Sequence, residues 1–133
     1  MNFFALLIVY LINNYYLCHI KSFAMDLITQ NKQRIAALCR KHRVKALCVF
    51  GSILTDRFTD ASDVDLLVDF EPTDHSTFDY VANYFGLQEQ LESIFQRPVD
   101  LIEAKGLRNQ HFIRTINRSK QMIYGVSTAF ANI

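Results

Sequence analysis

The sequence predicts an α/β (α+β) fold: a small mixed β-sheet with helices packed on it. Three observations lead to the sheet and its helices. Short apolar runs of strand length stand at 44–50, 63–70 and 98–102, and each is bounded by Gly, Pro or turn-forming residues. Stretches with apolar residues at helical spacing lie between them. The chain has 133 residues, half of them apolar and a fifth charged, which suits one globular core and argues against disorder. The resulting order is α-β-β-α-β-α-β.

Residues 26–42 place Ile28, Ile35, Leu38 and Cys39 on one face, with Lys32, Arg34 and Lys41 elsewhere. Asp26 is the expected N-cap of this helix. The run VKALCVF at 44–50 reads as a buried strand stopped by Gly51, and GSILTDRFTDAS as a loop or short helix. DVDLLVDF at 63–70 is the second strand, ended by Pro72, which cannot donate to a ladder. Residues 77–95 carry Phe78, Val81, Phe85, Leu91, Ile94 and Phe95 at helical spacing, with Gly86 a weak point in the helix. At that spacing Tyr80, Tyr84 and Phe85 are better read as core than as a partner surface. PVDLI at 98–102 is a third strand, 107–118 a weaker helix with Phe112, Ile113 and Ile116, and 121–124 a last strand. The tail after Gly125 is expected to fray.

The first 24 residues stand apart. Their apolar run from Phe3 to Ile12 is too short to span a bilayer, which needs about 20 residues. No basic region precedes it, as a secretory signal would require. The expected division is therefore an apolar extension over 1–24, a domain over 25–125 and a tail over 126–133. Met25 is the expected native start, and a weak membrane anchor is the alternative. Cys18, Cys39 and Cys48 are odd in number and have no CxxC spacing, which argues against a disulfide framework or a zinc site. Cys39 and Cys48 read as core residues, and this usage suits a reducing cytoplasm. A net charge of +1 gives no general nucleic-acid footprint.

The chemistry is concentrated in Gly51-Ser52, ten further residues, then Asp63-Val64-Asp65. Strand alternation puts Asp63 and Asp65 on one face. Paired carboxylates repel unless a cation neutralises them, and Mg²⁺ binds through one or two carboxylates plus substrate phosphates. Gly51 lets a phosphate approach the backbone, a following helix would turn its free N–H groups toward the anion, and the Ser52 hydroxyl adds a donor. Asp100, between Val99 and Leu101, is an acid inside an apolar run, where acids are rare unless paired or metal-bound. With Asp63 and Asp65 it could complete a two-metal site, or accept the proton of an attacking hydroxyl.

FGS-x10-DVDLLVDF followed by RPVDL resembles the nucleotidyltransferase superfamily that includes DNA polymerase beta. Within it the sequence is most similar to minimal nucleotidyltransferases (MNT) encoded beside HEPN-domain toxins. The resemblance covers about 26–125. It implies that Gly51 and Ser52 bind nucleotide phosphates, that Asp63 and Asp65 are metal ligands, and that Asp100 is the third metal ligand or the base. It further implies ATP as co-substrate, two Mg²⁺ ions, and AMP transfer to a tyrosine of a HEPN-type toxin by an antitoxin. One position departs: many relatives have Arg-Gly where this chain has Thr55-Asp56, with Arg57 the nearest replacement. Relatives acting on small molecules or nucleic acids carry an additional domain, so the acceptor here is expected on another protein.

Weaker candidates are Arg108, Arg114, Arg118 and Lys120, which either meet triphosphate or an acidic partner, or form a solvated face. Lys45 is expected to face solvent, and His42, His75 and His111 show no ligand spacing. A binding module that neutralises a toxin by contact and a small-molecule nucleotidyltransferase are the alternative functions.

Overall fold

The computed structural model describes residues 2–131 except 56 and 75, with the backbone alone for 16–24 and 127. The elements are α1 (Phe3–Gln30), α2 (Lys32–Lys41), β1 (Val44–Phe50), a 3₁₀ turn (Gly51–Leu54), β2 (Val64–Phe70), α3 (Tyr80–Phe95), β3 (Val99–Glu103), a second 3₁₀ turn (Ala104–Gly106), α4 (Gln110–Ser119), β4 (Gln121–Tyr124) and a last 3₁₀ turn (Ser127–Phe130). The expected α-β-β-α-β-α-β order holds from α2 onward.

The sheet runs β3-β2-β1-β4. β1 is antiparallel to both β2 and β4, and β2 is parallel to β3. A parallel pair needs a long crossover, which α3 provides. Both sheet faces are covered, which explains why β1 and β2 read as nearly continuous apolar runs rather than as alternating ones. On one face Leu47, Val49, Leu66 and Val68 pack with Ile35, Leu38 and Cys39 of α2 and Leu87, Leu91 and Phe95 of α3. On the other, Ala46, Cys48, Phe50 and Leu67 pack with Ile116 of α4 and Phe130. Cys39 and Cys48 are core residues as expected, and burial pushes their thiols up to about 12 and about 11.

β3 is an edge strand, and α3 closes its open side. Tyr84 Oη donates to the Leu101 carbonyl, Gln88 Nε2 donates to the Val99 carbonyl at 2.9 Å, and Glu92 Oε1 accepts the Val99 N–H at 3.2 Å. The spacing of four puts the three side chains on one helix face. An edge strand so covered cannot template further pairing.

Several boundaries and faces differ from expectation. Asp26 caps nothing: α1 runs through Met25 and breaks only at Asn31. Asn31 directs its side chain back to the Leu27 carbonyl at 2.8 Å. α3 starts at Tyr80 because Asp79 caps it, accepting the Ala82 N–H at 3.0 Å, and Asn109 likewise delays α4 to Gln110. The buried stripe of α3 is Leu87, Leu91 and Phe95, leaving Val81 and Phe85 exposed. Gly86 does not interrupt the helix; a side chain there would crowd His42. His42 is itself buried, 3.1 Å from Asn83 Oδ1. The tail does not simply fray, since Phe130 is buried against the α4 side of the sheet. His75 lies outside the described residues.

Among the described side chains of α1, Ile28 and Leu27 near its end join the core. Phe3, Phe4, Ile8 and Leu11 are exposed. Among the described residues no helix is long and apolar enough to cross a membrane.

Candidate active site

Strand directions bring the motif together. Because β1 and β2 are antiparallel, the end of β1 meets the start of β2, and Phe50 pairs with Asp65. Because β2 and β3 are parallel, their starts lie together, and Asp65 pairs with Asp100. Gly51-Ser52, Asp65 and Asp100 therefore share one end of the sheet. Residues in register on parallel strands point to the same face, so the two carboxyls stand side by side. That face is the one α4 covers farther along, since Asp65 alternates with Leu67 of the α4-side cluster. Asp63 lies just ahead of β2 rather than within it and is exposed. Asp100 is also exposed, so the expectation of a buried acid does not hold there; β3 is an edge strand and its start opens to solvent.

The expected helix N-terminus at Gly51-Ser52 is a single 3₁₀ turn. Gly51 has φ +75°, a conformation that side chains disfavour. A Cβ there would also run into the Asp65 carboxylate. The Ser52 N–H donates to that carboxylate. Burial raises the Asp65 pKa, repulsion from Asp100 and then Asp63 raises it further, and the Ser52 bond pulls it back in part. Tyr84 is also raised, by burial first and then by Asp100 and Glu103.

The described ion pairs of the chain both go elsewhere. Lys45 and Lys105 sit 3.9 and 3.8 Å from the carboxylate of Asp69, a buried acid farther along β2. Lys45 is thus partnered, not merely solvated. Among the described residues no ion pair reaches Asp63, Asp65 or Asp100, and no three metal-binding side chains converge into a ready-made cage. Two adjacent carboxylates with a third nearby, repelling one another, fit a hard ion such as Mg²⁺ that keeps oxygen ligands from water and substrate phosphate.

Two residues organise the intervening loop, and sequence reasoning gave a structural role to neither. Thr55 Oγ1 donates to the Ser52 carbonyl at 2.9 Å and accepts the Arg57 N–H at 3.2 Å, so the departure at Thr55 supports the 51–54 turn. Asp56 lies outside the described residues. Arg97 Nη1 donates to the carbonyls of Thr59 and Ser62 at 3.0 and 3.2 Å. The only hint of it in the sequence is an arginine directly before Pro98.

Arg108, Arg114, Arg118 and His111 are exposed. Arg108 donates to the carbonyls of Lys105 and Leu107, and Lys120 lies over the Phe130 ring at 5.7 Å. A cavity of about 280 Å³ lined by Arg43, Phe78, Tyr80 and Lys105 includes none of Gly51, Ser52, Asp63, Asp65 and Asp100.

The nucleotidyltransferase domain family model matches residues 31–123. A candidate protein adenylyltransferase of Methanocaldococcus jannaschii is 33% identical over 84 residues, 63% of this chain and 79% of its own length. Another from the same organism is 29% identical over 99 residues, 74% of this chain and 91% of its own. Among solved structures, a toxin–antitoxin complex with AMP-PNP aligns with a TM-score of 0.58 at 20% identity, covering 76% of this chain and 78% of that one. A Shewanella oneidensis complex of a tri-AMPylated HEPN toxin with its MNT antitoxin aligns with a TM-score of 0.53 at 19% identity, covering 77% and 76%. At these identities the two structures show a shared fold.

Proposed function

Because the chain belongs to the nucleotidyltransferase domain family, we propose that it transfers AMP from ATP to a tyrosine hydroxyl on a HEPN-type toxin, acting as that toxin's antitoxin. The observation that carries this reading is the pairing of Asp65 with Asp100 on adjacent strands, beside a Gly51-Ser52 turn whose N–H already reaches Asp65. The named relatives support protein as the acceptor, and the AMP-PNP complex supports an adenine nucleotide as donor.

In this reading Asp63, Asp65 and Asp100 would hold Mg²⁺, which supplies charge neutralisation for the triphosphate. The Gly51-Ser52 turn would receive phosphate oxygens, and the Ser52 hydroxyl adds a donor. Asp100, exposed at the start of β3, would also accept the phenolic proton. The phenolic oxygen forms a bond to the α-phosphorus while the bond from that phosphorus to the bridging oxygen breaks, releasing pyrophosphate. Asp63 and Asp100 are exposed at this end of the sheet, which suits an acceptor delivered on the surface of another protein.

The test is to incubate the chain with α-labelled ATP, Mg²⁺ and the product of the neighbouring gene. Label should appear on a tyrosine of the partner and disappear with Asp63→Ala or Asp65→Ala. Neutralisation of the toxin that persists in both variants would overturn the reading in favour of a contact inhibitor. Label transferred to a metabolite instead would make the chain a small-molecule enzyme.

A further inference from the structure

We infer that Arg97 is a positioning residue that fixes Asp63 relative to Asp100; the inference rests on the functional reading above. Asp63 stands ahead of β2, where no strand ladder holds it. Its two neighbours are held instead, and from one short segment. Arg97 Nη1 grips the Ser62 carbonyl at 3.2 Å, the peptide group that leads into Asp63. The next residue, Pro98, accepts the Val64 N–H at 3.0 Å, on the other side of Asp63. Two residues later comes Asp100. A four-residue segment thus brackets one acid of the candidate site and supplies another.

The clamp continues into the loop. Arg97 also holds the Thr59 carbonyl at 3.0 Å, and its guanidinium carbon lies 4.4 Å from the centroid of the Phe58 ring, which is buried. Between the two gripped carbonyls the chain closes a turn: the Ser62 N–H donates to the Thr59 carbonyl at 3.0 Å, and the Thr59 N–H donates to Ser62 Oγ at 2.9 Å. The loop is therefore a preformed unit, and Arg97 is its attachment to β3. A planar guanidinium can stack on a ring and serve two acceptors at once. A lysine ammonium keeps the charge but not the plane or the fork.

Arg97→Lys separates these roles. Hydrogen exchange should show faster exchange of the 59–64 amides in the variant, with the α3 amides unchanged. Electron paramagnetic resonance with Mn²⁺ alone, well below the melting temperature, should show weaker binding by roughly 10–100-fold, the usual effect of removing support from behind a metal ligand. Arg97→Gln should do the same, so that the result does not hang on one replacement. Loop amides that exchange as in the wild type, or Mn²⁺ affinity that is unchanged or falls only with the unfolded fraction, would overturn the inference alone. A wild-type chain that binds no Mn²⁺ would overturn the functional reading and this inference with it.

Discussion

The carboxylate of Asp65 occupies the space that a side chain on residue 51 would need, so Gly51 and Asp65 can be neighbours only while residue 51 is glycine. Two separate constraints act here, since Gly51 also has φ +75°. Gly51→Ala should therefore destabilise the chain by about 1–2 kcal/mol from backbone strain, with more from displacing Asp65. Urea denaturation should show a lower midpoint at unchanged slope. Titration with a non-hydrolysable ATP analogue should show loss of nucleotide affinity at temperatures where the variant is folded. A variant of native stability and native affinity would contradict both constraints.

The β3 edge yields a prediction about tyrosine. Tyr84 Oη bonds to the Leu101 carbonyl and Tyr80 Oη to Glu103 Oε2. Burial comes first among the causes raising both phenols; for Tyr80 the bond to Glu103 follows, and for Tyr84 the charge of Asp100. Spectrophotometric titration of the folded chain should show these phenols ionising above the usual value of about 10. Tyr84→Phe should remove one late-titrating group. It should also cost about 1 kcal/mol, because the Leu101 carbonyl loses its partner. Loss of a phenol that ionises at the ordinary value instead would show that Tyr84 is not held in this way.

Much of this was legible because strands and periodic helices announce themselves locally. The apolar residues of β1 and β2, Val99 and Leu101 of β3, and the stripe Ile28, Ile35, Leu38 and Cys39 all proved buried. What the sequence did not reveal depends on contacts between distant residues. Nothing in 63–70 says that β2 lies parallel to β3, yet that pairing sets Asp65 opposite Asp100. The Arg97 contacts join residues 35 and 38 positions apart, beyond any local pattern. Caps were misread for a different reason: Asp26, Asp79, Asn31 and Asn109 are all plausible caps, and only the surrounding backbone selects among them.

Net charge was similarly uninformative. A value of +1 conceals segregation, because twelve of the thirteen acidic residues lie between Asp56 and Glu103 and none follows. The segment after Glu103 carries only Lys105, Arg108, Arg114, Arg118 and Lys120 as charged side chains, apart from His111. An average over the chain cancels a dipolar distribution that a local charge count would have exposed.

The two buried cysteines should be chemically quiet. Thiolate is the reactive form, and burial raises Cys39 to about 12 and Cys48 to about 11. A thiol reagent at neutral pH should modify neither in the folded chain and both after denaturation. Peptide mapping distinguishes them from Cys18. Rapid native labelling of Cys39 or Cys48 would mean that the helix α2 or the strand β1 opens far more readily than its packing implies.

Asp65 links stability to function with opposite signs. Its pKa is raised in the folded chain, by burial first and then by Asp100 and Asp63. In the window between the ordinary carboxylate value and the raised one, the folded state holds more of the proton than the unfolded state. Stability from this group therefore falls as pH rises through that window, and the penalty is complete above the folded pKa. Asp65→Asn removes the charge. Without divalent metal it should be more stable than the wild type near neutral pH, by about 1 kcal/mol on the scale of other stabilising changes at functional sites. That advantage should shrink as pH drops through the window and vanish below the ordinary carboxylate range. Added Mg²⁺ should reverse the order, because a ligand that binds only the folded wild type stabilises it by mass action. Melting curves of both proteins across pH, in EDTA and in Mg²⁺, measure all of this. An Asp65→Asn variant less stable than the wild type in EDTA at neutral pH would show that the Ser52 N–H bond outweighs the burial and repulsion acting on this carboxylate.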